Sequence, residues 1–330
     1  MVHLSSVEQS VTRLLITGGG GFLGSHLIER ALQVTNWDIV AVDSFRHNGI
    51  TDRIVDADDG SDRVTVVTHD LTAPISDLTA QRIGTVDYVI DAASGCSVDE
   101  SIREPSQFVL NNYAITVNVL EFMRKHAARA VLMHISTDEV YGPDRPTSAS
   151  DHRPSSPYAA SKAAQEDLCH AYYHTYGLRV GVFSSSNMFG ERQSTLAFIP
   201  KLIKAAITGA EIAVREPGSR RYTYVKNTAA VLLSSLSSPS LNYDDIPLPR
   251  FQLPGQQLVE NRDLASRVAR LADKPIQVRT VNALTDRPGH DPSYAPLSHG
   301  TLAPEWCYTF DEGLQRTVEW AMSNPEWVLT

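Results

Sequence analysis

Short runs of apolar and β-branched residues recur through the first half of the chain, separated by longer stretches whose apolar positions fall three and four apart. The runs are RLLITG (13–18), DIVAVD (38–43), RVTVVTHD (63–70), VDYVIDAA (86–93), AVLMHIS (130–136) and RVGVFSSS (179–186). Each is short for a helix and, being nearly continuous, predicts a strand buried on both faces. Segments 22–34, 106–126 and 158–176 carry the helical spacing. Such strands joined by helices build βαβ units, and right-handed crossovers then give a doubly wound parallel sheet of Rossmann type.

After about residue 187 the rhythm changes. Pro- and Gly-rich connections (REPGSRR, PLPRFQLPG, DRPGHDPSYAP) alternate with helices expected near 196–209, 225–237, 258–272 and 311–323. The pattern predicts an α/β fold with a Rossmann domain over 1–186 and a smaller mixed α/β C-terminal substrate lobe over 187–330. The helix near 225–237 is expected to pack back on the Rossmann domain.

Composition narrows the field. The chain has 330 residues, 42% hydrophobic and 20% charged, enough for a sizeable core. A net charge of −9 argues against a nucleic-acid or acidic-membrane surface. The N-terminus lacks a basic stretch followed by a long apolar one, so no signal peptide is expected. No run approaches the roughly eighteen apolar residues of a membrane span. Cys96, Cys169 and Cys307 have no CxxC spacing, which suits a reducing cytoplasm.

The first candidate chemistry follows the first strand. In TGGGGFLGS, Gly18, Gly21 and Gly24 have the GxxGxxG spacing of a dinucleotide fingerprint, with Phe22 and Leu23 opening the helix. Glycines there allow a tight turn and bring backbone N–H groups and a helix N-terminus to a pyrophosphate. Asp43, followed by Ser44, ends the second strand, where a carboxylate can bind both hydroxyls of an adenosine ribose and repel a 2′-phosphate. That favours NAD over NADP, although Arg46 nearby is of the type that accepts such a phosphate. Asp70 and Leu71 at the third strand's end suit an adenine edge, and Ala92 and Ala93 after the fourth leave room for a cofactor.

Tyr158 and Lys162 form YxxxK, an i,i+4 pair on one helix face. An ammonium beside a phenol favours phenolate and makes a base for a hydroxyl proton as hydride leaves. Thr137, at the fifth strand's end, can complete a Thr-Tyr-Lys relay. Directly after it stand two adjacent acids, Asp138 and Glu139. A solvated strand end, a metal site and an acid/base pair are all open to such a pair, but His134 alone is a poor third metal ligand. Placed where the cofactor machinery converges, the two acids suit acid/base work best.

TGGGGFLGSHL, VDYVIDAAS, HISTDEVYG, SPYAASKAAQEDL and DRPGHD together resemble the extended short-chain dehydrogenase/reductase superfamily. Within it the chain is most similar to the nucleotide-diphosphate-sugar 4,6-dehydratases, over roughly residues 13–295. The resemblance implies an NAD-dependent lyase that oxidises a sugar at C4, eliminates water across C5 and C6, and returns the hydride to C6. It implies Tyr158 as the base at C4, Glu139 as the base at C5 and Asp138 as the acid at C6. It further implies that Ser97, Asn187, Arg220, Arg287 and His290 line the nucleotide-sugar pocket, and that the chain is a homodimer through the helices near 106–126 and 158–176. The pocket departs most from the family pattern: Met188, Leu196 and Ala197 stand where amide and charged residues are usual, and AASGCSVDES carries an insertion. A C4 epimerase, a uronate decarboxylase, a 5,6-dehydratase and an idle NAD-binding module are the competing readings.

Overall fold

Six strands of the first half lie side by side, and a seventh from far down the chain completes their sheet. The computed structural model describes residues 11–47, 49–143, 151–236, 248–287, 291, 293–294 and 307–329. The first part runs β1 (Arg13–Thr17), α1 (Phe22–Val34), β2 (Asp38–Asp43), α2 (Thr51–Ala57), β3 (Val64–Thr68), α3 (Asp77–Ile83) and β4 (Tyr88–Asp91). It continues with α4 (Val98–Arg103), α5 (Pro105–His126), β5 (Val131–Thr137), a 3-10 turn (Asp138–Tyr141), α6 (Pro157–Tyr176) and β6 (Arg179–Ser185). Then follow β7 (Asn187–Phe189), α7 (Phe198–Thr208), β8 (Ile212–Glu216), β9 (Ser219–Tyr224), α8 (Val225–Leu236) and β10 (Arg250–Leu253). The chain ends with β11 (Leu258–Glu260), α9 (Asn261–Ala272), β12 (Val278–Asn282), α10 (Ala283–Asp286), α11 (Phe310–Ser323) and α12 (Pro325–Leu329).

The large sheet has the order β10-β6-β5-β4-β1-β2-β3, every pairing parallel. The order reverses between β1 and β4, and it is at such a switch point, beyond the strands' C-terminal ends, that open α/β sheets bind ligands. β5 is buried at all seven positions, as its unbroken apolar run requires. β3 differs from that expectation. It is the edge strand, and Thr65, Val66 and Thr68 are exposed.

Helices cover both faces. On one, α1 and α8 share a core that includes Leu27, Ile28, Ala229 and Leu232; Leu27 and Ile28, fully buried, each contribute roughly 1.5–3 kcal/mol. On the other, Val119, Leu120 and Met123 of α5 and Cys169 of α6 pack on β4, β5 and β6. A third core, with Phe189, Leu202, Leu264 and Leu314, holds β7, α7, β9, α9 and α11 together beyond the sheet. Leu258–Glu260, expected as helix, is strand β11 and pairs with β9.

Local signals place the elements that matter for the site. α6 begins at Ser156, whose side chain caps Ala159 N–H, with Pro157 in the first turn; it ends at Gly177 in the left-handed conformation. α1 begins at Gly21 with no side-chain cap, so its first N–H groups point toward the switch point.

Candidate active site

Asp138 and Glu139 sit on the 3-10 turn that leaves β5, with Thr137 as its N-cap: the Thr137 hydroxyl accepts from Glu139 N–H at 3.3 Å. The two acids are only 8% and 9% exposed, which removes the solvated strand end as an account of them. Burial, and then the charge of Glu139, push the Asp138 carboxyl up to about 7. Burial raises Glu139 as well, but Arg220, Arg287 and a hydrogen bond from Tyr294 pull against it. Tyr294 donates its hydroxyl to Glu139 Oε2 at 3.2 Å, and the Arg220 guanidinium lies 4.7 Å over the Tyr294 ring. The two neighbours thus meet unequal fields, the arrangement that lets one carboxyl stay protonated while the other ionises.

Tyr158 and Lys162 approach from α6. Tyr158 is half-buried, edge-on to Phe108 at 6.3 Å between centroids. Burial and the Glu139 charge push its phenol well above the ordinary value, while a hydrogen bond with Thr137 draws it down. The Thr137 hydroxyl also lies 3.4 Å from Asp138 Oδ1, so it stands between the phenol and the acid. The Lys162 ammonium hydrogen-bonds not the phenol but His134 Nε2, at 3.4 Å.

At the glycine turn after β1, backbone packs directly on backbone. A Cβ at Gly24 would stand 2.1 Å from Gly18 O, and one at Gly18, where φ is +68°, would meet Ala93 Cα at 3.0 Å. Glycine at 18 and 24 therefore meets one requirement, close approach of chain segments at the switch point, where Gly18 lies against the backbone of Ala92 and Ala93. Phe22 packs edge-on against His26 and Leu23 is buried. Asp43 accepts from Gly20 N–H at 3.0 Å and Phe45 N–H at 2.9 Å; Ser44 accepts from Arg46 N–H. Arg46, the residue type that accepts a 2′-phosphate, is ion-paired with Asp70 at 2.7 Å. Leu71 is buried beside them, its carbonyl accepting from Asn118.

The pocket residues come from several elements. Arg220 lies on β9 and donates to Asp291 O at 2.8 Å; Arg287 ends α10 and stands 3.5 Å from Asp99. Asn187 opens β7, half-buried. Ser97 is the N-cap of α4, its hydroxyl accepting from Glu100 N–H at 3.1 Å, which leaves its O–H to donate. His290 lies outside the described residues.

A family model described as the NAD dependent epimerase/dehydratase family matches residues 14–244. The chain belongs to this family. Among curated relatives, dTDP-glucose 4,6-dehydratase of Mycobacterium tuberculosis is 30% identical over 329 residues, 96% of this chain and 95% of that protein. Among solved structures, dTDP-glucose 4,6-dehydratase of Streptomyces venezuelae with NAD and TYD bound is 28% identical, with a TM-score of 0.84 over 96% of this chain and 98% of that one. The enzyme of Bacillus anthracis in complex with NAD is 26% identical, with a TM-score of 0.81 over 96% and 98%.

The cradle fits the dinucleotide of an NAD dependent epimerase/dehydratase. A turn that tolerates no side chain at 24, uncapped N–H groups at the start of α1, and a carboxylate at 43 match pyrophosphate and ribose in that order. Arg53, 3% exposed, braces the turn by donating to Gly20 O at 3.2 Å and lies 5.3 Å over the Trp327 ring. Sequence reasoning missed Arg53 and Tyr294. It also missed Ser186, which hydrogen-bonds Asp138. For Tyr294 the only signal was an aromatic shortly after RPGHD; for Arg53 there was none, because a helical Arg reads as surface.

Proposed function

We propose that the chain is an NAD-dependent nucleotide-sugar 4,6-dehydratase. The observation that carries this is the adjacent buried pair, with Asp138 raised to about 7 and Glu139 facing Arg220, Arg287 and Tyr294. Bound NAD would accept the C4 hydride and later return it to C6. Tyr158 takes the C4 hydroxyl proton as phenolate. Burial and Glu139 hold its phenol high in the chain alone, so the positive charges of bound NAD and of Lys162 would have to bring it down. Glu139 removes the C5 proton, acidified by the C4 ketone, while Asp138 protonates the C6 hydroxyl that departs as water. Glu139 then gives its proton back to C5. The proton gained at Tyr158 balances the one lost at Asp138, and the Thr137 hydroxyl stands between them.

Arg220 and Arg287 supply guanidinium forks for the diphosphate, and Asn187 supplies an amide to the sugar. The pairing of Arg46 with Asp70 supports NAD over NADP, since that Arg is already committed to a carboxylate. The same reading makes the chain a homodimer through α5 and α6, whose Leu110, Tyr113 and Tyr176 are exposed.

The test is incubation of the purified protein with nucleotide sugars, beginning with dTDP-glucose, followed by mass analysis. A product lighter by one water supports the proposal. Unchanged mass with altered retention means epimerisation, loss of carbon dioxide means decarboxylation, and no turnover with NAD bound means a binding module. Each of those three outcomes rejects it.

A further inference from the structure

Behind Lys162 a row of polar side chains crosses the sheet, and the reaction above leaves it without work. In-register parallel pairing sets Thr17 of β1 beside Asp91 of β4, and Asp91 beside His134 of β5. Residues so paired point to the same face of a sheet. The Thr17 hydroxyl accepts from Ala92 and Ala93 N–H, each at 3.1 Å, and donates to Asp91 Oδ1 at 2.7 Å. His134 Nδ1 lies 2.8 Å from Asp91 Oδ2, and its Nε2 lies 3.4 Å from Lys162 Nζ. Thr17, Asp91, His134 and Lys162 are 1%, 2%, 1% and 4% exposed.

Hydrogen-bond inventory orders the protons. An ammonium only donates, so Nε2 must accept; Nδ1 then carries the imidazole hydrogen and gives it to the carboxylate. Burial would raise Asp91, but its bonds from His134 and Thr17 outweigh that and hold it ionised. Burial and then Lys162 hold His134 neutral. The charges are therefore ammonium at one end and carboxylate at the other, with a neutral ring between. A buried ion pair of this kind contributes little to stability over an apolar replacement, so stability alone does not account for it.

We propose that Asp91 and His134 are positioning residues for the redox step: through the imidazole, the Asp91 carboxylate holds Lys162 in place as an ammonium. This rests on the reading of Tyr158 and Lys162 as the redox pair. Ionisable groups around Lys162 besides Asp91 and His134 include Tyr158, Glu166 and Cys169 on its own helix and Cys96 after β4. Glu166 is committed elsewhere, to His152, Ser136 and Arg250. Burial lowers Lys162 to about 8 even with Asp91 present. Removing the Asp91 charge lowers it further, so the ammonium is lost at a lower pH.

Two measurements on the NAD-loaded protein test this. The first uses 15N-histidine protein, with the His134 signals identified by their loss in His134→Gln. A neutral Nδ1–H ring that does not titrate between about pH 6 and 8 is expected; an Nε2–H ring, or one that titrates, overturns the proposal. The second follows reduced-cofactor absorbance in a single turnover of Asp91→Asn. The rate should fall about tenfold relative to wild type at the alkaline end and stay near wild type at the acid end. A loss equal at every pH means a merely structural role and overturns the proposal. If Asp91→Asn does not fold, the ring tautomer decides alone. Wild-type protein that forms no reduced cofactor with any nucleotide sugar refutes the Tyr158–Lys162 reading, while the tautomer still reports on the chain of bonds.

Discussion

The Tyr294 hydroxyl meets Glu139 Oε2 at 3.2 Å across 155 residues of chain, and Arg220 covers the ring of the same tyrosine. Tyr294 is 7% exposed, so the bond is made out of water. One side chain thus joins the turn after β5 to the segment after α10 and helps hold Glu139 ionised.

Two variants separate the roles at this contact. Glu139→Gln should form reduced cofactor on mixing with the nucleotide sugar yet release no dehydrated product. Tyr294→Phe should keep that absorbance and slow dehydration about tenfold, the worth of a hydrogen bond to a charged group. A Glu139→Gln protein that dehydrates normally refutes the role of Glu139.

Asp138 predicts a pH signature with a definite sign. An acid with a folded value near 7 is protonated below it, so the elimination step should fade as pH rises through about 7. Stability follows the same direction. Between the ordinary carboxylate value and about 7 the folded state binds the extra proton, so stability from this group is lost as pH rises. Asp138→Asn, neutral throughout, should melt higher than wild type at about pH 8 and match it at about pH 4. Scanning calorimetry at the two pH values checks this.

Gly24→Ala should abolish cofactor binding while leaving a folded chain. The new Cβ would stand 2.1 Å from Gly18 O and 2.8 Å from Gly19 Cα, so the turn must open. Cofactor titration by fluorescence, with circular dichroism as the control, measures it. Binding within twofold of wild type would contradict the close-approach argument.

Glu166 makes a separate prediction about stability. Its side chain is fully buried on α6 and is held by Arg250 of β10, His152 and Ser136. Those partners outweigh burial and keep its carboxyl below the usual range, so its contribution is lost on acidification. Arg250→Met should cost roughly 3 kcal/mol in urea unfolding, because a buried carboxylate loses its ion pair. Adding Glu166→Gln should recover part of that.

The six strands and the three long helices of the first half, α1, α5 and α6, were legible because each is specified locally; the short α2, α3 and α4 carry too few turns for a period and were not. An unbroken apolar run such as 130–136 has only a buried strand to become, and Ser156-Pro157 before α6 with Gly177 after it mark both helix ends. The glycine turn, Asp43, Tyr158, Lys162 and the Asp138–Glu139 pair were legible for a related reason: each lies at a strand end or on one helix face, where position follows from the element itself. The strand-to-helix misreading at 258–260 arose because three residues paired to β9 carry no period of their own.

What the sequence by itself determined is therefore the order of elements and the residue types delivered to the sheet's C-terminal edge. Tertiary structure decided which of them meet. Residues 250–253 join the large sheet only because β6 offers a free parallel edge, with Phe251 beside Phe183. Thr17, Asp91 and His134 form one row only because three strands pair in one register. Tyr294 reaches Glu139 only once the later lobe folds over the turn. Such contacts depend on long-range register and packing, which no local periodicity encodes.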